Sequence, residues 1–176
     1  MNFEFSEEQQ MLREQARGFL TEHCSTSVVR AVLDSNEDWD AGLWKKVADM
    51  GWTATVIPEA YGGLGLSYYE LAILAEEMGR SAAPLPFSSS LYLASEAIRH
   101  FGNESQKSEW LPKLASGECV ATVAMAERAG RLVLDQLQTR RTDSQITGHK
   151  VPVAGASVAD VAVVLARSDQ GLEACL

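Results

Sequence analysis

Cysteine and histidine are scarce in this sequence, which has three of each among 176 residues. The cysteines are Cys24, Cys119 and Cys175, and the histidines are His23, His100 and His149. No two cysteines form the C-x-x-C pair that many zinc sites use, and an odd number of distant thiols does not indicate a disulfide framework. We therefore expect reduced thiols, no metal site and a cytoplasmic location.

An excess of positive charge and a long apolar run are also missing. The formal net charge is −9, which argues against nucleic acid or an anionic membrane surface as a partner. No apolar run approaches the roughly 20 residues that a membrane span needs. The first residues, Met1–Phe5, lack the basic and apolar regions of a signal peptide. We expect a soluble intracellular protein without a membrane span.

Familiar catalytic motifs are missing as well. Gly63-x-Gly65 lacks the third glycine of a dinucleotide fingerprint, and the sequence has no Walker A, H-E-x-x-H or G-x-S-x-G motif. The adjacent Glu76 and Glu77 lie on a predicted helix, where we expect both carboxylates to be solvated. Read from the residues alone, the sequence does not specify a reaction.

Helix signals are strong over residues 1–118. Three pairs of residues have the capping-box spacing, in which two side chains satisfy free amides at the start of a helix. These pairs are Ser6 with Gln9, Ser67 with Glu70, and Asn103 with Gln106. Apolar residues recur at helical spacing after each pair, as they also do around Trp44 and Leu91. We predict five helices and an all-α domain at residues 1–118.

A glycine-rich stretch and a proline-rich stretch divide these helices. In the first, residues 57–67, three glycines in four residues favour positive φ angles and a close approach of the backbone. In the second, Ala83–Pro86, each proline biases the residue before it away from helix. Both stretches should therefore be loops between helices.

The pattern changes after Glu118. Residues 119–125, 150–153 and 158–166 are short apolar runs that we predict to be strands, with turns at Thr147-Gly148 and Ser168-Asp169. The fold class is therefore α+β, with the helical domain at 1–118 and part of a β-sheet or β-barrel domain at 119–176. So small a sheet leaves unpaired edges, which indicates that another segment or subunit completes it.

The order of these features resembles the amino-terminal half of the acyl-CoA dehydrogenase family. The matching runs are LWKKVADMGW, IPEAYGGLGLSYYELAILAEEMGR, the Ala83–Pro86 break with Phe87, FGNESQKSEWLPKLASGE, VATVAMAE, GHK and VADVAVVLAR. The resemblance implies a helical domain, a middle β-domain and a carboxy-terminal helical domain, the last being absent from this chain. It also implies FAD, an acyl-CoA substrate, a homo- or hetero-oligomer and an electron-transfer flavoprotein as partner.

In this family a glutamate of the carboxy-terminal domain removes the α-proton of the acyl-CoA while hydride passes to the flavin. No catalytic residue is therefore nominated here. By the same resemblance, the end of the first strand and the segment after Lys150 are the cofactor-binding candidates. These residues are Met125, Ala126, Pro152, Val153 and Ala154.

This chain departs from the family pattern at the cofactor candidates. It has Ala126-Glu127-Arg128 where Thr-Glu-Pro is usual, and no Gly-Ser-Asp follows. Pro152 stands where a tryptophan usually packs on the flavin. Ala126 has no hydroxyl to bond the flavin, although the backbone amides of Met125 and Ala126 could still contact the ring.

The resemblance also implies that the acyl group is lined by the helix after the proline break. The substrate-binding candidates are Phe87, Leu91, Ala94, Ser95 and Ile98. The alternative is that Leu91, Ala94 and Ile98 are simply core residues of a central helix. For Ser95 the alternative is a hydroxyl bonded to a carbonyl one turn earlier in the helix.

Three functions follow from this resemblance. The first is the amino-terminal portion of an FAD-dependent acyl-CoA dehydrogenase, inactive by itself. The second is a non-catalytic subunit that completes the active site of a partner, and the departures at Ala126 and Pro152 favour it. The third is a flavin-dependent monooxygenase on the same scaffold.

Overall fold

The structure is a computed structural model that describes residues 5–130 and 132–176. Within these residues four α-helices precede one π-helix and two α-helices follow it, and a small mixed sheet comes next in the chain. The α-helices are α1 (Glu7–His23), α2 (Thr26–Leu33), α3 (Ala41–Asp49), α4 (Tyr68–Arg80), α5 (Glu96–Phe101) and α6 (Glu104–Ala115), and the π-helix is Ser88–Ser95. The strands are β1 (Ala121–Ala124), β2 (Arg140–Thr142), β3 (Gln145–Thr147), β4 (Val161–Ser168) and β5 (Gly171–Cys175). The predicted α+β fold is confirmed.

All three predicted capping boxes are present, at the starts of α1, α4 and α6. In each one the residue at the N-cap accepts a bond from a first-turn amide, as Asn103 does from Gln106 at 2.9 Å. The side chain of the third helical residue in turn accepts from the cap amide, as Gln106 does from Asn103 at 3.0 Å. Local sequence therefore decides where these helices begin.

Two helical features differ from the five predicted helices. Helix α2 was not predicted, because no capping pair marks its start in the sequence. In the structure the Ser25 side chain makes no cap hydrogen bond, and no residue of the helix is buried. The single helix predicted around Leu91 is a π-helix that continues into α5. Apolar spacing does not separate an i→i+5 pattern of hydrogen bonds from an i→i+4 pattern over so few residues.

The glycine-rich stretch turns tightly, as predicted. Gly62 and Gly65 have φ angles of +79° and +60°. At Gly63 any Cβ would collide with the carbonyl group of Ile57. The loop needs glycine at Gly63 because the backbone approaches itself there, and this turn leads the chain into α4.

Helices α1 and α4 run side by side in the same direction and are joined by polar side chains. The Gln9 amide donates to the Glu70 carboxylate at 2.8 Å near their amino ends. Further along, Glu77 accepts from Arg17 at 2.7 Å and from Arg80 at 2.8 Å. The Glu77 side chain is fully buried, so the expectation that both Glu76 and Glu77 are solvated is wrong for Glu77.

The sheet is arranged around β4. Strand β1 pairs with β4 in parallel, with Ala121 opposite Val161. Strand β5 pairs antiparallel with β4 across the predicted turn at Ser168-Asp169. Strands β2 and β3 form a second hairpin that joins β4 through Arg140 and Arg167.

The predicted strand at residues 150–153 is wrong, because this segment is irregular and its polar groups bond to the end of β1 instead of joining a ladder. Strands β2, β3 and β5 were not predicted. Every residue of β2 and β3 is exposed, so neither strand shows the apolar alternation that identifies a half-buried strand.

The helical and β parts share one core. A buried apolar cluster combines Ile98 and Leu111 from the helices with Ala121 and Val163 from the strands. Polar bonds reinforce this junction, because the buried Ser90 hydroxyl accepts from the Ala121 amide at 3.2 Å. The start of β1 is therefore fixed against the π-helix.

Replacing Glu77 should lower stability and flatten its acid dependence. The Arg17 hydrogen bond, opposed by burial and assisted by Arg80, lowers the pKa of Glu77 from 4.5 to about 2. This stabilisation is complete above pH 4.5 and is lost as the pH falls towards 2. We expect Glu77→Gln to lower the free energy of unfolding by about 3 kcal/mol at pH 7, measured by urea denaturation between pH 3 and 7.

The neighbouring Glu76 provides the matched control, since its side chain is 58% exposed and pairs with Arg13 at the surface. Glu76→Gln should change the free energy of unfolding by less than about 1 kcal/mol. If both substitutions changed the free energy of unfolding equally, the burial of Glu77 would not contribute to stability as proposed.

Candidate functional site

The five cofactor-binding candidates come from two segments that meet along β1, with Met125 and Ala126 directly after its last residue and Ala154 beside Thr122. The Val151 amide donates to the Ala126 carbonyl at 2.9 Å. The Thr122 hydroxyl donates to the Ala154 carbonyl at 2.7 Å. These two bonds hold the 150–154 segment beside Met125 and Ala126, although 25 residues separate Met125 from Lys150. The sequence places neither segment near the other, and the tertiary structure brings them together.

Glu127 organises this end of the strand. Its carboxylate accepts from the backbone amides of Gln138 and Thr139 at 2.6 and 2.7 Å, and from the Lys150 ammonium at 3.2 Å. The same ammonium donates to the Met125 carbonyl at 2.9 Å. We call Glu127, Lys150 and the two amides the strand-end clip.

The clip is largely removed from water, since the side chains of Glu127 and Lys150 are 16% and 8% exposed. Burial raises the pKa of Glu127, but the bonds from Thr139, Gln138 and Lys150 outweigh it and lower the pKa to about 2. Glu127 is therefore an anion held by three donors, which suits a structural role and not that of a proton acceptor near pH 7.

A cavity of about 510 Å³ opens beside the clip. Its lining residues are Ala126, Glu127, Arg128, Leu132, Val133, Asp135, Gln136, Leu137 and Gln138. The Arg128 guanidinium donates to the Gln136 amide oxygen at 2.7 Å across the cavity wall. The volume lies within the roughly 300–1,000 Å³ range of small-molecule sites.

All five substrate-binding candidates are buried. Leu91, Ala94, Ser95 and Ile98 are each no more than 2% exposed. The Ser95 hydroxyl donates to the Leu91 carbonyl one turn earlier at 2.7 Å, the arrangement named as the alternative for this residue. Phe87 is also buried, at 3% exposed, and lines a separate cavity beside α4.

A second cavity connects the π-helix with the cofactor candidates. It has a volume of about 360 Å³, and Pro86 and Ser89 lie on one side of it with Ala154 and Gly155 on the other. The Ser89 side chain packs so closely on Gly155 that a Cβ there would lie 2.9 Å from the Ser89 hydroxyl. Neither Ser89 nor Lys150 was nominated from the sequence, because their partners Gly155 and Met125 are distant along the chain and such contacts produce no periodic pattern.

Neither a metal centre nor a membrane helix occurs in the described part of the chain. No group of three His, Cys, Asp or Glu side chains there is placed to hold a metal ion. No helix there has the length and apolar content needed to cross a bilayer.

Comparison with known proteins decides the family. Residues 6–118 match the family model described as the acyl-CoA dehydrogenase, N-terminal domain. The chain belongs to the acyl-CoA dehydrogenase family. The mitochondrial isovaleryl-CoA dehydrogenase of Pongo abelii is 33% identical over 171 residues, an alignment that covers 93% of this chain and 40% of that relative.

Two solved acyl-CoA dehydrogenase-like structures show the same fold. The ChsE4–ChsE5 complex of Mycobacterium tuberculosis matches with a TM-score of 0.87 and 27% identity, over 99% of this chain and 48% of that one. An acyl-CoA dehydrogenase of Bacillus anthracis complexed with FAD matches with a TM-score of 0.86 and 27% identity, over 97% and 31%. The chain therefore spans less than half the length of these relatives.

FAD is the cofactor implied by the acyl-CoA dehydrogenase family, and the described residues do not by themselves fit it. The Ala126 methyl group and the Pro152 ring provide no hydrogen-bond donor. Lys150 is already bonded within the clip, and none of the residues lining the 510 Å³ cavity is aromatic. The strand end offers a flavin one edge of backbone and apolar surface.

Removing the Glu127 carboxylate should loosen the strand-end clip. Glu127→Ala leaves the buried Thr139 amide and the Gln138 amide without their acceptor, whereas Lys150 keeps its bond to the Met125 carbonyl, and we expect a loss of about 1–3 kcal/mol in the free energy of unfolding. Hydrogen exchange at the Gln138 and Thr139 amides should become faster, which NMR measures directly.

Asp135→Ala is the control for this prediction, because the Asp135 side chain is 99% exposed and belongs to the same cavity wall. It should leave exchange at Gln138 and Thr139 unchanged. Unchanged protection in Glu127→Ala would contradict the role given to the clip.

Proposed function

We propose that this chain is the amino-terminal portion of an acyl-CoA dehydrogenase, inactive by itself. The reaction proposed for the whole enzyme is the α,β-dehydrogenation of an acyl-CoA thioester, for which FAD would supply the hydride acceptor and an electron-transfer flavoprotein the electron acceptor. The observation that carries the proposal is the family match over residues 6–118 together with 33% identity to an isovaleryl-CoA dehydrogenase over 93% of the chain. We assign no residue of this chain a step in proton or hydride transfer.

The role of this chain in such an enzyme is to hold the helix on the acyl side and the strand end on the cofactor side in fixed positions. The Ser90 hydroxyl accepts from the Ala121 amide, so the helix carrying Phe87, Leu91, Ala94, Ser95 and Ile98 is held against the start of β1. The other end of β1 is held to the 150–154 segment by the strand-end clip. One strand thereby sets the distance between the acyl-side helix and the edge offered to the cofactor.

The cavity of about 360 Å³ between these two surfaces is our candidate for the acyl group. Pro86 and Ser89 contribute its helical wall, and Ala154 and Gly155 contribute the wall on the cofactor side. Since Leu91, Ala94, Ser95 and Ile98 are buried, their proposed contribution is to shape the helix beneath this wall. Phe87 is buried as well and lines the different cavity beside α4.

A second candidate function is a non-catalytic subunit that completes the active site of a partner. The observation favouring it is the strand end itself, where Ala126, Pro152 and the internally bonded Lys150 leave few groups for a flavin. A chain of this kind would assemble as a hetero-oligomer with a flavin-bearing dehydrogenase. The resemblance to the ChsE4–ChsE5 complex, whose name has two components, is consistent with such an assembly.

Residues 1–176 purified alone should oxidise no acyl-CoA and carry no visible flavin absorbance. The assay mixes the chain with added FAD, a ferrocenium acceptor, and isovaleryl-CoA or straight-chain acyl-CoAs of increasing length. We expect no turnover above the protein-free control, because the strand end does not by itself fit the flavin that would accept the hydride. Measurable oxidation by the homogeneous chain would refute the proposed inactivity.

The same protein, isolated from its native cells through an amino-terminal tag, should contain flavin and oxidise at least one of these acyl-CoA substrates. A denaturing gel then separates the two candidate functions: flavin with a longer form of this chain supports the first, and flavin with a second polypeptide supports the subunit. A flavin-free, inactive preparation would refute both.

A further inference from the structure

A separate cavity lies between the end of α4 and the π-helix. Its volume is about 220 Å³, below the roughly 300–1,000 Å³ of sites for drug-sized ligands. The residues that line it are Ala75, Met78, Gly79, Ala82, Ala83, Leu85, Phe87, Ser88 and Tyr92. All but Ser88 and Tyr92 present only carbon, sulfur or backbone atoms, so the space suits a compact and mostly apolar group.

This cavity is distinct from the site at the end of β1. On the β side of the π-helix, Ser90 bonds to Ala121 and Ser89 packs on Gly155. Phe87 and Tyr92 instead border the cavity beside α4. The walls of this cavity and of the 360 Å³ cavity share Ala83, Leu85 and Ser88, so the two spaces adjoin, and the ligand proposed below occupies the side that Phe87 and Tyr92 border.

The backbone around the cavity keeps the space open against local preference. Gly79 lies near the end of α4, and a Cβ there would meet no atom within 4 Å. Ala82 takes a φ angle of +48°, in the region where glycine is favoured just past the end of a helix. Glycine thus occupies a helical position that suits alanine, and alanine occupies a left-handed position that suits glycine.

Tyr92 supplies the only hydroxyl of a large side chain on the cavity wall. Its ring packs edge-to-face on Phe87, with centroids 5.6 Å apart, which fixes the direction of the phenol. In the described part of the chain the Tyr92 hydroxyl makes no hydrogen bond with another residue. Burial raises the pKa of Tyr92, so the phenol stays protonated and is available as a donor.

We propose that this cavity is a binding site for a compact apolar molecule or group that carries one acceptor oxygen, such as a small ketone or ester. The apolar wall holds the carbon part, and the Tyr92 hydroxyl donates to the oxygen. The half-buried Tyr92 hydroxyl is open to water, and a ligand that displaces this water leaves the phenol unpaired unless the ligand offers an acceptor oxygen in its place, which gives the site its preference for an oxygenated ligand.

The test uses the full 176-residue chain with cyclohexanone as probe and methylcyclohexane as its counterpart without oxygen. Methyl-labelled methionine provides the signal, because Met78 lines the cavity while Met50 and Met125 lie elsewhere. We expect a saturable NMR shift of the Met78 methyl group with cyclohexanone and constant signals from Met50 and Met125. A Met78 signal that does not respond would overturn the proposal.

Two substitutions test the geometry. Gly79→Leu places a side chain in the cavity and should reduce cyclohexanone binding at least tenfold, and Gly79→Ala should reduce it less. Gly18→Leu is the matched control, since Gly18 is also an exposed helical glycine with no atom within 4 Å of its Cβ position. Equal binding by the Gly79→Leu and Gly18→Leu variants would refute the assignment of the site.

Tyr92→Phe tests the hydrogen bond. It should weaken cyclohexanone binding about fivefold to tenfold while leaving methylcyclohexane binding unchanged, because only the oxygenated probe uses the phenol. Thermal denaturation of each variant confirms that it is folded. If Tyr92→Phe weakened the binding of cyclohexanone and methylcyclohexane equally, the role given to the hydroxyl would be contradicted.

Discussion

The buried carboxylate of Glu77 is the constraint on which the helical part depends. A charge without solvent is tolerated only with partners, and Glu77 has Arg17 on α1 and Arg80 on its own helix. This requirement fixes the rotation of α4 and its register along α1 together. The Gln9–Glu70 bond at the start of both helices agrees with the same register. The remaining helices pack against a pair whose geometry is already set.

The second constraint is at the junction of helices and sheet. The Trp44 indole donates to the Gly117 carbonyl at 2.9 Å, and the Asp160 carboxylate accepts from the Val120 amide at 2.8 Å. Together with Ser90 and Ala121, these bonds fix the first residues of β1 before any sheet pairing is considered. Strand β4 can then pair in only one register, because its buried Val163 must join the core shared with the helices.

The strand-end clip continues this order to the far end of β1. Glu127 and Lys150 neutralise one another and occupy polar groups that would otherwise face a ligand. An edge organised in this way is stable without a cofactor, whereas a cofactor site usually keeps donors free for its ligand. The chain thus has the fold of an acyl-CoA dehydrogenase with a strand end at which Glu127 and Lys150 are paired with each other, although the buried Thr139 hydroxyl beside them has no partner. The proposed inactivity of the isolated chain is based on this pairing.

The starts of α1, α4 and α6, the tight glycine turn and the change from helices to strands are predictable from the sequence alone, because capping, glycine geometry and apolar spacing act between neighbours in the chain. The family is also predictable, because its motifs occur in order along the sequence. The sequence did not determine that Glu77 is buried while Glu76 is exposed, since both have the same local sequence. It also predicted a strand at residues 150–153, where bonds to the end of β1 impose an irregular loop. Tertiary structure decided these features, because each depends on a partner that only folding brings within reach.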